Sequence, residues 1–169
     1  MFTPTESPQH HPDCCLAISR PLLDQRITVL PCKPELVLSI GSGTGLLEHA
    51  LLQQSDEQIN LIGIEVSPKV NKYLAEQNIL VVDGTWSLHD EAQSASTWMF
   101  VYPREPRLVE TYIRTYASQT LRTVIWLGPR SDWQDYSPVF EACRLFSVEL
   151  LGDCGMADYE VLAVMKKKR

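Results

Sequence analysis

Three glycines at alternate positions, Gly41, Gly43 and Gly45, follow the apolar run Leu36-Val37-Leu38-Ser39-Ile40 and lead into Leu46-Leu47-Glu48-His49-Ala50-Leu51-Leu52, whose leucines crowd one side of a helix. Strand, glycine-rich turn and helix in that order let an adenosine-type ligand come close to the backbone, because glycine has no side chain to collide with it and tolerates positive φ. The spacing narrows the choice. Leu46 stands where a dinucleotide-binding turn carries its third glycine, so the NAD or FAD fingerprint is not met, and no lysine follows the glycines, which excludes a Walker-type phosphate loop. Five cysteines, Cys14, Cys15, Cys32, Cys143 and Cys154, form no CxxC pair and no repeating spacing. They read as free thiols of a reducing compartment, and no metal is expected. Of the histidines, His49 falls on the helix after the turn and His89 in a polar stretch; His10 and His11 bear on chemistry only if the N-terminal arm folds over the pocket.

The elements that must position the turn follow from pattern. From residue 36 onward, apolar β-rich runs alternate with helical periodicity, as expected for βαβ units and a mostly parallel sheet with helices on both faces. The second strand, Leu61–Val66, runs into Ser67-Pro68, a serine cap followed by a proline that marks a helix carrying Val70, Tyr73 and Leu74. Ile79–Val82 is a short third strand broken at Asp83-Gly84, and Trp86–Ser96 is a surface helix or loop. Thr97–Tyr102 is strand four, stopped by Pro103. The stretch Pro106–Ala117 puts Leu108, Val109, Tyr112, Ile113 and Tyr116 on one helical face. Thr123–Leu127 is strand five, ended by Gly128-Pro129, and Ser137-Pro138 opens a helix that buries Val139, Phe140, Cys143 and Phe146. Ser147–Leu151 and Glu160–Met165 make a hairpin across Asp153–Asp158, for seven strands in all. Before them, Leu16–Leu30 reads as an amphipathic helix or cap interrupted near Pro21. The division is an N-terminal arm over residues 1–34 and one α/β domain over 35–169, a three-layer αβα sandwich with a Rossmann-like, mostly parallel sheet and an antiparallel C-terminal hairpin.

Bulk properties agree with one folded domain. The 169 residues are 44% apolar and 21% charged, near the globular average. The net charge of -6 disfavours a polyanionic partner, and the one dense basic run, Lys166–Arg169, reads as a solvated tail. No secretory signal pattern and no run of eighteen apolar residues is present, so a cytoplasmic protein without a membrane partner is expected.

The run Val37-Leu38-Ser39-Ile40-Gly41-Ser42-Gly43-Thr44-Gly45 resembles the first signature of the class I S-adenosylmethionine-dependent methyltransferases, and the resemblance extends from about Glu35 to the C-terminal hairpin. It implies S-adenosyl-L-methionine as cofactor, with the methionine part over the glycine turn. Glu65, at the end of strand two, falls where the family places a carboxylate for the ribose hydroxyls, a task suited to an acceptor-only group that can take two O–H donors. Asp83 matches the position that reads the adenine amino group, with Gly84 and Thr85 beside the ring and Trp86 as a wall. Tyr102 falls where a residue faces the transferred methyl. The implied cofactor-binding set is Ser39, Gly41, Ser42, Gly43, Thr44, Gly45, Glu65, Val66, Asp83, Gly84, Thr85 and Tyr102, and the implied catalytic residues are Tyr102 and Arg104.

Two positions depart from the family pattern. Ser39 stands where an Asp or Glu usually helps to hold the cofactor's amino group, and a hydroxyl lacks the charge that makes such a bond strong. Tyr102-Pro103-Arg104-Glu105 matches neither the Asn-Pro-Pro-Tyr signature nor the metal-binding aspartate of catechol-type enzymes. The expectation is methyl transfer to a small-molecule acceptor, with no nucleic acid. The alternative is a catalytically degenerate protein of this fold that acts as a cofactor- or partner-binding subunit. The sequence sets no oligomeric state.

Overall fold

The computed structural model describes residues 1–152 and 154–169. A small antiparallel hairpin, β1 (Gln9–His11) and β2 (Cys14–Ile18), leads into helix α1 (Arg20–Val29). The main body then runs β3 (Leu36–Ile40), α2 (Leu46–Gln54), β4 (Asn60–Glu65), β5 (Ile79–Val81), β6 (Thr97–Val101), α3 (Pro106–Tyr116), β7 (Thr123–Pro129), α4 (Trp133–Cys143), β8 (Phe146–Leu151) and β9 (Glu160–Lys167). Strands three to nine form one sheet in the order β5-β4-β3-β6-β7-β9-β8. Its first five members are parallel, and β9 enters antiparallel between β7 and β8.

The order decides where a ligand can sit. The chain moves outward from β3 to β5 and then crosses back to β6 on the other side of β3. A crevice opens where the direction reverses, outside the carboxyl ends of the strands. Register aligns those ends: Ile40 lies beside Ile64 on one neighbour and Phe100 on the other, so the glycine turn, Glu65 and Tyr102 leave the sheet at one edge.

Both faces of the sheet are covered, which is why β3, β6 and β7 are runs of buried residues rather than alternations. Trp98 and Phe100 point to the face covered by α3 and α4, where they join Tyr112, Trp126 and Phe140. Met99 points the other way, with Ile125, Leu22, Leu23, Leu47 and Leu51 under α1 and α2. Each such fully buried side chain contributes about 1.5–3 kcal/mol relative to exposure. Among the described residues no helix is long and apolar enough to cross a membrane.

Four expected elements differ. Leu16 belongs to β2, and α1 starts at Arg20: Ser19 caps it by accepting from the Leu22 N–H at 3.2 Å, so the proline in its first turn opens the helix rather than interrupting one. No helix follows Ser67-Pro68. The N–H groups of Lys72 and Tyr73 bond to the Thr44 carbonyl at 2.9 and 3.0 Å, and the Asn71 side chain accepts the Leu74 N–H at 3.0 Å and donates to the Leu74 carbonyl at 2.8 Å, which satisfies the backbone without a helical ladder. Helix α4 begins at Trp133, with Pro138 inside it, because Trp133 and Tyr136 dock their rings on Trp126 with centroids 5.2 and 5.1 Å apart, and it ends at Cys143, so Phe146, expected on the helix, opens β8 instead. Strand β7 continues through Gly128-Pro129, where Pro129 pairs with Glu160 at the sheet's end. Of the expected closing turn, Asp153 lies outside the described residues.

Candidate cofactor and acceptor site

A cavity of about 620 Å³ occupies the crevice above β3, β4 and β6. Its floor is the glycine turn. The N–H groups of Gly41 and Ser42 bond to the Ile64 carbonyl at 2.9 and 3.1 Å, which pulls the turn against β4. Gly41 and Gly43 have φ of +79° and +57°, and a β-carbon added to either would meet open space, so both backbones border the cavity bare. Gly45, with φ +80°, differs: it begins α2, and the Leu74 side chain lies 2.8 Å from where its β-carbon would be. The segment read as a helix is instead a plug over the base of the turn.

Glu65 braces the turn from β4. Its Oε2 accepts the Gly43 N–H at 2.8 Å and its Oε1 accepts the Val66 N–H at 2.8 Å. The side chain remains half-buried and borders the cavity, so its remaining lone pairs are open to it. Ser39 does not reach the cavity. It is buried at the end of β3 and donates from Oγ to Oε1 of Glu48, on the first turn of α2, at 2.6 Å. Glu48 lines the cavity, and burial pushes its carboxyl up to about 7 against the Ser39 bond, which lowers it.

The β1–β2 hairpin closes the crevice from the other side. Thr44 donates to the Asp13 carbonyl at 2.6 Å, and the Asp13 carboxylate receives Lys72 Nζ at 2.8 Å and the Tyr73 hydroxyl at 2.6 Å. Those bonds hold the Asp13 carboxyl below its usual range. Pro12, Asp13, Cys14 and Cys15 therefore line the cavity, and burial raises the Cys14 thiol to about 12, leaving it neutral and a poor nucleophile.

On the β6 side, Tyr102 has φ +48°, an unusual conformation for a bulky residue. Two bonds hold it there: its N–H donates to the Leu127 carbonyl at 2.7 Å and its hydroxyl to Oε2 of Glu160 at 2.7 Å. Glu160, at the start of β9, also accepts the Ala17 N–H and so ties β2 to the sheet. Burial first, and then the Glu160 bond, raises the Tyr102 phenol, which excludes it as a base at neutral pH. Arg104 is exposed at the rim.

Of the sequence-derived residues, Gly41, Ser42, Gly43, Thr44, Glu65, Val66, Thr85, Tyr102 and Arg104 line the one cavity. Ser39 and Gly45 lie beneath it. The turn after β5 lines it with Val82, Thr85 and Ser87, while Asp83 is exposed, Gly84 stands apart from the lining, and Trp86 is 55% exposed. Sequence reasoning missed Glu48, Ser87, the hairpin residues and the pair Leu108 and Tyr112 on α3. Leu108 and Tyr112 carried a signal, the apolar face of α3, but it reads as core. Glu48 carried none, since an acid in a first helical turn is ordinary. Among the described residues no cluster of three or more His, Cys, Asp or Glu could hold a metal ion.

No family model matches the sequence, and no curated protein matches it. Solved structures do match in three dimensions. A SAM-dependent methyltransferase from Aquifex aeolicus superposes with a TM-score of 0.64 at 11% identity, over 86% of this chain and 89% of that one. The chain has the class I methyltransferase fold. A plantazolicin methyltransferase solved with a desmethylPZN analog and SAH shares this methyltransferase fold at TM-score 0.60 and 11% identity, over 88% of this chain and 83% of that one. So does a small RNA methyltransferase, at TM-score 0.63 and 12% identity, over 100% of this chain and 27% of that one.

Proposed function

We propose that this chain binds S-adenosyl-L-methionine over the glycine turn and transfers its methyl group to an acceptor that enters beside Tyr102, Arg104 and the β1–β2 hairpin. The observation that carries the reading is the conjunction, in one cavity of about 620 Å³, of two bare positive-φ glycines and the half-buried Glu65 carboxylate. The cradle fits the group. Gly41 and Gly43 leave the space a β-carbon would fill, Glu65 offers acceptor lone pairs to a vicinal diol, and Val82, Thr85, Ser87, Leu108 and Tyr112 form a partly apolar end suited to a purine.

The sulfonium supplies an activated methyl. The chain's own part is to align the acceptor and exclude water. Tyr102, locked by Leu127 and Glu160, presents a fixed wall at the β6 side, and its raised phenol takes no proton. Arg104 at the rim favours an acceptor that carries negative charge.

The acceptor is read as a small molecule, on the net charge of -6, which opposes approach of a polyanion. The expectation that nucleic acid is excluded does not follow from the fold, which a small RNA methyltransferase shares. The test is calorimetric titration of cofactor-free protein with S-adenosylmethionine and S-adenosylhomocysteine, followed by a labelled-methyl screen of small nucleophiles and RNA. Binding near micromolar with turnover on a small acceptor supports the reading; a folded protein that binds neither ligand sinks it. Glu65→Ala should weaken binding by about 2 kcal/mol, the order for losing charge-assisted hydrogen bonds.

A further inference from the structure

Three acids line the cavity among the described residues, Asp13, Glu48 and Glu65, and only Glu48 is fully buried. The Asp13 carboxylate is taken by Lys72 and Tyr73. Both Glu65 oxygens accept backbone N–H groups. Glu48 is 2% exposed and accepts the Ser39 hydroxyl and its own backbone N–H, with no cation beside it among the described residues. A buried carboxyl in that condition either keeps its proton or waits for a positive charge.

Its place points to the second. The sheet order β5-β4-β3-β6 puts Val82 and Thr85 at one end of the cavity, Glu65 next, and Tyr102 at the far end. Glu48 reaches Ser39 at the end of β3, between Glu65 and Tyr102 in that sequence. A ligand with its purine toward β5 and its diol toward Glu65 directs its remaining part to this point. Resting on the cofactor reading above, we propose that Glu48, rather than any residue of β3, receives the ammonium group of S-adenosylmethionine, and that Ser39 acts as a positioning residue that fixes the Glu48 carboxyl. The negative charge absent from Ser39 is supplied from helix α2, nine residues later.

On binding, the Glu48 carboxyl releases its proton to solvent and the carboxylate pairs with the ammonium, so charge balances inside the cavity. The titratable groups that face it are Glu65 from β4 and the Cys14 thiol from β2, and neither brings positive charge. Affinity should therefore rise with pH through about 7, the range in which Glu48 ionises in the ligand-free protein.

The experiment titrates the full chain with S-adenosylhomocysteine and with 5′-methylthioadenosine, which keeps the adenosine thioether but lacks the amino-acid end. Proteins compared are the wild type, Glu48→Gln and the double variant Ser39→Asp with Glu48→Gln. Glu48→Gln should weaken S-adenosylhomocysteine by about tenfold or more while leaving 5′-methylthioadenosine within about twofold, and should remove the rise of affinity between pH 6 and 8. The double variant, with its charge returned to β3, should regain most of the lost affinity. Equal weakening of both ligands would mean a structural role for Glu48, and an unchanged S-adenosylhomocysteine affinity would place the ammonium elsewhere; either overturns the inference alone. Wild-type protein that binds neither ligand overturns the cofactor reading along with it.

Discussion

Two buried carboxyls support the cavity, Glu48 in its lining and Glu160 behind Tyr102, and the two are built differently. Glu160, 1% exposed, receives the Tyr102 hydroxyl at 2.7 Å and the Ala17 N–H at 3.2 Å, two donors from two other elements. Glu48, 2% exposed, receives one hydroxyl from another element. Burial raises both carboxyls, and hydrogen bonds oppose it in both. The difference is what surrounds them. Glu160 joins β2, β6 and β9 into one wall and has its acceptor capacity used by the fold. Glu48 joins only α2 to β3 and keeps capacity for a ligand. Buried carboxyls alike in exposure can thus serve opposite ends, one holding the site together and the other holding what enters it.

That contrast breaks most visibly at Glu160. Glu160→Ala leaves the Ala17 N–H and the strained Tyr102 without their partner and should lower stability by about 3 kcal/mol in urea denaturation, the order for orphaning two buried donors. A loss below about 1 kcal/mol would show that the wall stands without it.

For Glu48 the sign depends on pH. Its carboxyl is raised from 4.5 to about 7 in the folded state, so the unfolded chain loses this proton first. Any stability tied to the protonated carboxyl is present below 4.5 and is lost as pH rises through about 7. Glu48→Gln should therefore match the wild type near pH 4 and exceed it by up to about 3 kcal/mol near pH 8, read as the difference between two urea series. A difference that does not grow with pH would mean that Glu48 is already ionised in the empty site.

The glycine turn offers the same kind of contrast on a smaller scale. Gly45→Ala, which sets a β-carbon 2.8 Å from Leu74 Cγ at φ +80°, should cost about 2 kcal/mol. Gly43→Ala meets open space, so its stability loss should stay near 1 kcal/mol while ligand affinity falls. Equal losses in stability would mean that Leu74 yields to the new methyl. The smallest effect belongs to the exposed clasp. Asp13→Asn removes the anchor for Lys72 and Tyr73 and should speed amide exchange in β1 and β2 with little change in global stability. Because this carboxyl is held low, its contribution is present above its ordinary range and fades as pH falls through the lowered value.

Much of the frame was legible in the chain. The central strands are apolar runs closed by turn residues, and α3 carries an apolar face at helical spacing, so local pattern and buried position coincide. Where they parted, a distant partner had taken over. Ser67-Pro68 carries a sound helix start, but the Thr44 carbonyl accepts the N–H groups that a helix would use. Ser137-Pro138 looks like another, but the aromatic seat on Trp126 lies four residues earlier, at Trp133.

The same division runs through the site. By itself the sequence determined the glycine turn, the acid at the end of β4 and the aromatic at the end of β6, because each is tied to a strand end that hydrophobic pattern locates. Only the tertiary structure decided that Asp83 faces solvent while Ser87 and Tyr112 border the cavity, and that the β1–β2 hairpin closes over it. It also decided that Ser39 is buried beneath the cavity and bonds to Glu48, which lines it. Periodicity tells which face of an element is buried, but not which residue of another element will meet it, and a carboxyl's charge state is set by that meeting.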